Sequence, residues 1–275
     1  MNKINQQHYT TLNNGVQMPL LGLGVYAMYG KEAESAILKA LETGYRLIDT
    51  AAMYRNETEV GNAIRKSGIT REEIFVITKV ANYDQGFEST LRAYDESLQR
   101  LGLDYVDLYL MHWPVKGQRR DTWKALEKLY ADKRVRAVGT ANYLLPFLEE
   151  LKTYTTVIPA LNQVEFTPYL FLKNLLDYCN AHQIQLQSYS PIARGRKNSD
   201  PKLVTLAEKY DKTIVQIMLR WAIQHNVSTI PKSSNPKRIE ENFDIFDFEI
   251  SEEDMMAMDN FHENFRVAED PMEMW

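Results

Sequence analysis

The sequence predicts a (β/α)8 barrel, the TIM-barrel class of α/β fold, with an N-terminal β-hairpin capping the barrel bottom. Three observations predict it. Eight short apolar runs recur along the chain: LLGLG (20–24), YRLID (45–49), IFVIT (74–78), YVDLYLM (105–111), VRAVG (135–139), PALNQ (159–163), IQLQS (184–188) and VSTIP (227–231). Amphipathic segments fill the gaps, so the pattern switches from strand to helix repeatedly. The length of 275 residues suits a barrel of this type, which takes roughly 250 residues. Alternating units imply parallel strands joined by crossovers. A closed barrel and an open doubly wound sheet would both satisfy that, and eight units favour the barrel.

Each element has its own signal. Residues 8–18 read as a hairpin turning at Asn14-Gly15. Residues 31–43 carry Ile37, Ala40 and Leu41 on one face, with Gly44 as a stop. Residues 90–101 carry Leu91, Tyr94, Leu98 and Leu101, and residues 213–225 carry Ile214, Ile217, Met218 and Trp221. No Pro/Gly/Ser-rich linker or charge block divides the chain, so one domain over 1–275 is expected. Gly22-Leu-Gly24-Val-Tyr-Ala27 matches the dinucleotide fingerprint G-x-G-x-x-A. A true fingerprint opens a helix at once, whereas here Met28-Tyr29-Gly30 intervenes. A Rossmann dehydrogenase is therefore disfavoured.

Composition narrows the function classes. Hydrophobic residues make up 44% and charged residues 25%, which describes a soluble globular chain with a sizeable core. The formal net charge of −5 does not suit a nucleic-acid binder. The opening residues lack the apolar run of a leader, and no stretch approaches the ~18 apolar residues of a membrane span. Cys179 is the single cysteine, so no internal disulfide is possible; its helical surroundings read as core rather than as a reactive thiol. Together these point to the cytoplasm, without a membrane or nucleic-acid partner. A monomer or weak oligomer is expected.

In such a barrel the chemistry sits at the C-terminal ends of the strands. Asp49 ends the second apolar run, Lys79 follows the third and His112 the fourth. Gln163 ends the sixth, Tyr189 follows the seventh, and Tyr54 lies on the loop after Asp49. Singly each has a bland alternative, as a helix cap, a solvated strand end or a structural histidine. Jointly they fit carbonyl reduction. Hydride addition to a carbonyl leaves an alkoxide to be protonated, and a tyrosine hydroxyl can donate, though its resting pKa is about 10. Lys79 is the candidate ammonium to lower it, Asp49 would keep that ammonium charged, and His112 would direct the carbonyl oxygen. No metal-ligand spacing is present, so none is expected. After the eighth run, Lys232-Ser233-Ser234 and Arg238 surround a helix start near Pro236, a candidate phosphate site beside the acidic Glu240, Glu241, Asp244, Asp247 and Glu249.

These segments resemble the aldo-keto reductases, particularly the prokaryotic-type, diketogluconate-reductase-like branch. The likeness runs through Gly44-Tyr-Arg-Leu-Ile-Asp49-Thr-Ala-Ala-Met-Tyr54, Asn56-Glu57 and Gly61, His112-Trp113-Pro114, Asn162-Gln163-Val-Glu165, Ser188-Tyr189-Ser190-Pro191, Leu219-Arg220-Trp221 and the Ile230–Asn242 segment. It covers nearly the whole chain. The resemblance implies Asp49, Tyr54, Lys79 and His112 as a catalytic tetrad and NADPH as cofactor. It implies that Tyr189 stacks on the nicotinamide, that Asn142 and Gln163 hold its carboxamide, and that Ser190 and Ile192 lie along the pyrophosphate. Lys232, Ser233, Ser234 and Arg238 would bind the 2′-phosphate, with Glu241 and Asn242 near the adenine. Tyr26, Trp113 and the C-terminal tail would line the pocket for a small carbonyl substrate. A non-catalytic NADPH-binding regulatory barrel is the alternative. Three positions depart from the family pattern. Arg55 stands where Gly is common, Ala141 where Ser often precedes Asn142, and Ala81 where a pocket Trp often follows Lys79, which predicts a wider pocket.

Overall fold

The computed structural model describes residues 7–274. Residues 1–6, read above for a leader, and residue 275 lie outside them. The hairpin pairs β1 (Tyr9–Thr11) with β2 (Gln17–Pro19), Thr11 opposite Gln17, and Gly15 takes a left-handed φ of 85° in its loop. The eight predicted runs become eight parallel strands: β3 (Leu23–Gly24), β4 (Leu47–Asp49), β5 (Phe75–Val80), β6 (Val106–Met111), β7 (Val135–Ala141), β8 (Leu161–Glu165), β9 (Gln185–Tyr189) and β10 (Ser228–Thr229). They pair in chain order. The seam between the first and last is closed by Gly22 N–H to Thr229 O (2.9 Å), Thr229 N–H to Leu20 O (2.8 Å) and Gly24 N–H to Pro231 O (3.2 Å). The sheet is a closed barrel, as expected.

Helices follow the strands: α1 (Gly30–Thr43), α2 (Glu57–Ser67), α3 (Phe87–Leu101), α4 (Arg119–Ala131), α5 (Leu145–Lys152) and α6 (Lys173–Ala181). After β9 come two, α7 (Pro201–Tyr210) and α8 (Ile214–Gln224); α9 (Pro236–Phe243), α10 (Glu252–Asp259) and α11 (Pro271–Met274) follow β10. Gly44 ends α1 at φ 122°, and α8 begins with a reciprocal capping box between Thr213 and Gln216. In α3 the buried stripe is Thr90, Ala93, Tyr94, Ser97 and Leu101, while Leu91 and Leu98 stay half-buried. Small side chains let this helix approach its neighbours closely, so size as well as polarity decided which face turned inward. Cys179 is buried on α6, and burial pushes its thiol up to about 12, in keeping with a core role.

Two apolar layers result. One, between strands and helices, includes Tyr45, Tyr109, Trp123 and Trp221. The other fills the barrel with Leu47, Phe75, Ile77, Leu108, Leu110, Ala137 and Leu161, and the hairpin contributes Leu12 and Met18 to it. Asn13 and Asn14 donate to Pro159 O (3.0 Å) and Arg136 O (2.9 Å), beside the starts of β8 and β7. The hairpin thus plugs the bottom, and polar chemistry is left to the opposite end.

The two glycines of the fingerprint-like segment serve the barrel. A Cβ on Gly22 would collide with Leu47, and one on Gly24 would stand 2.8 Å from the Ile230 carbonyl oxygen across the closing seam. Neither opens a helix, since α1 starts at Gly30. Gly24→Ala is expected to destabilise the fold by about 1–3 kcal/mol, the usual cost of overpacking, read from the urea midpoint. An unchanged midpoint would show that the seam opens without strain.

Candidate active site

Strand register places the first residues. Asp49 pairs with Ile77 and Lys79 with Leu110, so β4, β5 and β6 bring Asp49, Lys79 and, one residue past β6, His112 to one end. Lys79 is fully buried; its Nζ donates to Asp49 Oδ1 at 2.7 Å and to Thr50 O at 2.8 Å. The other carboxylate oxygen, Oδ2, accepts from Gln163 Nε2 at 2.7 Å. Burial pushes the Lys79 ammonium down from its ordinary value and the Asp49 carboxyl up, and each is opposed by the charge of the other. No group of His, Cys, Asp and Glu among the described residues is placed to hold a metal ion.

Tyr54 ends the short turn Ala52–Tyr54, and Arg55 behind it takes a left-handed φ of 56°. That conformation favours glycine, which gives the family's common Gly a backbone reason; the arginine itself is exposed. The half-buried Tyr54 ring lies 4.9 Å from Lys79 Nζ, edge-on to His112 (5.5 Å between centroids) and to Tyr26 (5.1 Å). All four tetrad positions therefore converge. Burial raises the Tyr54 hydroxyl well above the ordinary phenol value, and Asp49 adds to the rise. This corrects the expectation that Lys79 lowers it. The ammonium is shared with Asp49 at bonding distance, so its pull on the phenol is too weak to offset burial and the carboxylate. His112 is held well below its usual value, first by burial and then by Lys79, so it is neutral; its Nδ1 is buried without a hydrogen-bond partner.

The cofactor residues form two groups. Beside the tetrad, Asn142 takes a left-handed φ of 64°, donates to His112 O and accepts from the Tyr189 hydroxyl, both at 2.8 Å. Gln163 uses its Nε2 on Asp49 and on Gln187 Oε1 (2.7 Å each), leaving its carbonyl oxygen to offer a ligand. Tyr189 is half-buried at the end of β9, with Ser190 (φ 49°) and half-buried Ile192 following. At the far group, Lys232 and Arg238 are exposed, and neither is ion-paired among the described residues; Lys232 Nζ reaches Ala27 O at 3.2 Å. Ser233 is buried, its Oγ accepting from Asn235 N, and Ser234 is exposed. The start of α9 is not an open amide cluster, because Asn235 Oδ1 already accepts from Lys237 N (3.0 Å) and Arg238 N (3.2 Å). Side-chain cations, more than helix amides, are what this site presents. Glu241 accepts from Thr213 Oγ1 (2.9 Å) and Asn242 is buried.

Around the mouth, Tyr26 is half exposed and Trp113 half-buried. The C-terminal tail is clamped nearby: Val267 N and Ala268 N donate to the two oxygens of buried Glu165 (2.7 and 3.0 Å). Ala81 is fully buried, so its own side chain does not face solvent. Ala141 is likewise buried. Asn56, part of the motif that follows Tyr54, has a structural role that its sequence does not announce. Its Oδ1 accepts from Thr50 Oγ1 (2.7 Å) and its Nδ2 donates to Val25 O (2.8 Å) and Met28 O (3.0 Å). It ties the Tyr26 loop to the Tyr54 loop. Its full burial is invisible in a motif of polar letters, and only its place just after Tyr54 hinted at it.

A phenol beside a buried ammonium, at the end of a barrel where enzymes of this fold keep their chemistry, marks a barrel enzyme suited to proton transfer. Similarity to known proteins then narrows the class. The sequence model of the Aldo/keto reductase family matches residues 21–263. Glyoxal reductase of Bacillus subtilis is 50% identical over 96% of this chain and 96% of its own length. Among solved structures, an aldo-keto reductase from a Medee basin deep-sea metagenome library superposes with a TM-score of 0.93 at 44% identity, covering 95% of this chain and 97% of that one. A Bombyx mori aldo-keto reductase in complex with NADP superposes at 0.91 with 34% identity, covering 96% and 95%. The chain belongs to the aldo/keto reductase family.

The buried pair makes a checkable demand. Asp49→Asn keeps the shape but removes the countercharge, and losing one partner of a buried pair costs about 3–5 kcal/mol. The loss should appear as a lower urea midpoint. A loss below about 1 kcal/mol would show that Lys79 sheds its proton there without penalty.

Proposed function

We propose that this chain, a single cytoplasmic barrel domain, is an NADPH-dependent reductase of small aldehydes, ketones and dicarbonyls, with Tyr54 as proton donor. The observation that carries the reading is the convergence of Lys79, Asp49 and His112 on the half-buried Tyr54. The residues present suit the cofactor. Lys232 and Arg238 are exposed cations of the kind a 2′-phosphate needs. The Gln163 carbonyl suits the amide of a nicotinamide, and Tyr189 offers a ring for stacking. The solved relative in complex with NADP agrees with this choice, and the relative named glyoxal reductase suggests dicarbonyls among the substrates.

Bound NADPH supplies the hydride; the chain's residues deal with the charge and the proton. Neutral His112 donates a hydrogen bond to the substrate oxygen and fixes its approach. Tyr54 delivers the proton. An alkoxide is a far stronger base than a phenolate, so the transfer is downhill even from a phenol raised by burial. The phenolate left behind faces Lys79 Nζ at 4.9 Å from the ring centre, which limits the cost of the new charge. Asp49 and the Thr50 carbonyl hold that ammonium in place.

The deciding experiment is loss of NADPH absorbance, with NADH in parallel, across a panel of small aldehydes and dicarbonyls. Consumption is expected, and Tyr54→Phe should reduce the rate about 100-fold or more while NADPH still binds. No consumption despite NADPH binding would replace the reductase by a regulatory barrel. A variant keeping over a tenth of the rate would remove Tyr54 as donor. A pH profile tests the charge states. With His112 held low and Tyr54 held high, neither titrates between about pH 6.5 and 9, so reductive kcat/KM should be flat there and fall only in stronger alkali, where Tyr54 loses its proton. A break near pH 7 would mean a charged His112 or a different acid.

A further inference from the structure

Gln187 is a fully buried amide in the barrel interior that neither the tetrad nor the cofactor set includes. It sits on β9 directly opposite Gln163 on β8. A buried amide costs stability unless both ends are bonded, and here both are. Its Nε2 donates to Ser228 Oγ on β10 at 3.0 Å, and its Oε1 accepts from Gln163 Nε2 at 2.7 Å. Ser228 is itself fully buried, and its hydroxyl is directed at Pro19 O, 3.5 Å away. The chain of bonds runs on without a break. Gln163 Nε2 donates to Asp49 Oδ2, and Lys79 Nζ donates to Asp49 Oδ1.

The order of donors along this chain is dictated from the Asp49 end. At one end the Asp49 carboxylate can only accept, so Gln163 must turn its NH2 toward it. That nitrogen, which can only donate, also stands 2.7 Å from Gln187, and the Gln187 amide nitrogen donates to Ser228 on its far side. The Gln187 carbonyl therefore faces Gln163 and accepts its second amide proton. With both protons engaged, Gln163 has only its carbonyl oxygen for a ligand, and its amide plane is held from two sides.

We propose that Gln187 is a positioning residue for cofactor recognition: through Gln163 it fixes a single acceptor at the barrel mouth, matched to the NH2 of the nicotinamide carboxamide. The inference rests on the assignment of Gln163 to that carboxamide. It also links that contact to the tetrad, because the same Gln163 nitrogen serves Asp49. Without Gln187 the second proton of Gln163 is buried and unpaired, and the amide tilts or rotates to satisfy it.

The test compares two ligands by quenching of intrinsic fluorescence, so it does not depend on turnover. One is NADPH. The other is reduced 3-acetylpyridine adenine dinucleotide phosphate, in which a methyl ketone replaces the carboxamide and no NH2 remains. In Gln187→Leu, NADPH affinity should fall about 5- to 10-fold, the worth of one misaligned buried hydrogen bond, while affinity for the analogue changes less than about 2-fold. If Gln187→Leu does not fold, Ser228→Ala takes its place, with a smaller loss for NADPH and the same indifference of the analogue. Equal losses for both ligands, or no loss for either, would overturn the proposal, since a general structural defect does not distinguish a carboxamide from a ketone. Wild type that binds both ligands equally would remove the Gln163 contact and the proposal with it. Absence of turnover with every carbonyl, with the binding contrast intact, would strike only the reductase reading.

Discussion

A lysine ammonium with no exposure to water, in a barrel filled mainly by Leu, Ile and Ala, must be compensated or give up its proton. Lys79 is compensated on two sides, by the Asp49 carboxylate and the Thr50 carbonyl. Much of the upper end of the molecule is arranged around that requirement. Asp49 needs a second donor for its remaining oxygen, and Gln163 supplies it from β8, the strand across the barrel from β4. Thr50 must hold its place, and its hydroxyl is bonded to Asn56, which also gathers the Val25 and Met28 carbonyls. The same pairing leaves Lys79 and Asp49 nearly neutral in sum, so Tyr54 keeps its proton until a stronger base arrives.

The barrel's two ends divide the labour. At the bottom the hairpin inserts Leu12 and Met18 into the interior and bonds to the main chain at the start of β7 and just before β8. Water is kept out from below, and the apolar filling stops only where Asp49, Lys79, Gln163 and Gln187 begin. A bond across the mouth is possible because the barrel is closed. In an open doubly wound sheet, β4 and β8 would stand several strands apart and Asp49 would need another partner.

Much of this was legible in the amino-acid order, for a physical reason. Strand ends are local features, so Asp49, Lys79 and His112 could be read from where apolar runs stop, and the Asn235-capped start of α9 from Pro236. Long motifs carried the rest of the candidate site. What escaped was non-local. Nothing in the letters says that Gln163 meets Asp49, which lies more than a hundred positions earlier, or that Gln187 backs it. The full burial of Ala81 depends on how the chain packs around it. The inward face of α3 was set by how closely Ala93 and Ser97 allow it to approach, which a hydrophobicity pattern alone does not weigh. The sign of the Tyr54 shift also needed distances, because it turns on how fully Asp49 cancels Lys79.

The clamp on the C-terminal tail has a consequence of its own. Glu165 grips residues 267 and 268 through their main-chain N–H groups, which any residue except proline provides. Anchorage and chemistry of the tail are therefore separable. The tether to β8 itself makes no demand on the side chains at those two positions. The sequence near this anchor can therefore change with little effect on how the chain end is fastened to the barrel.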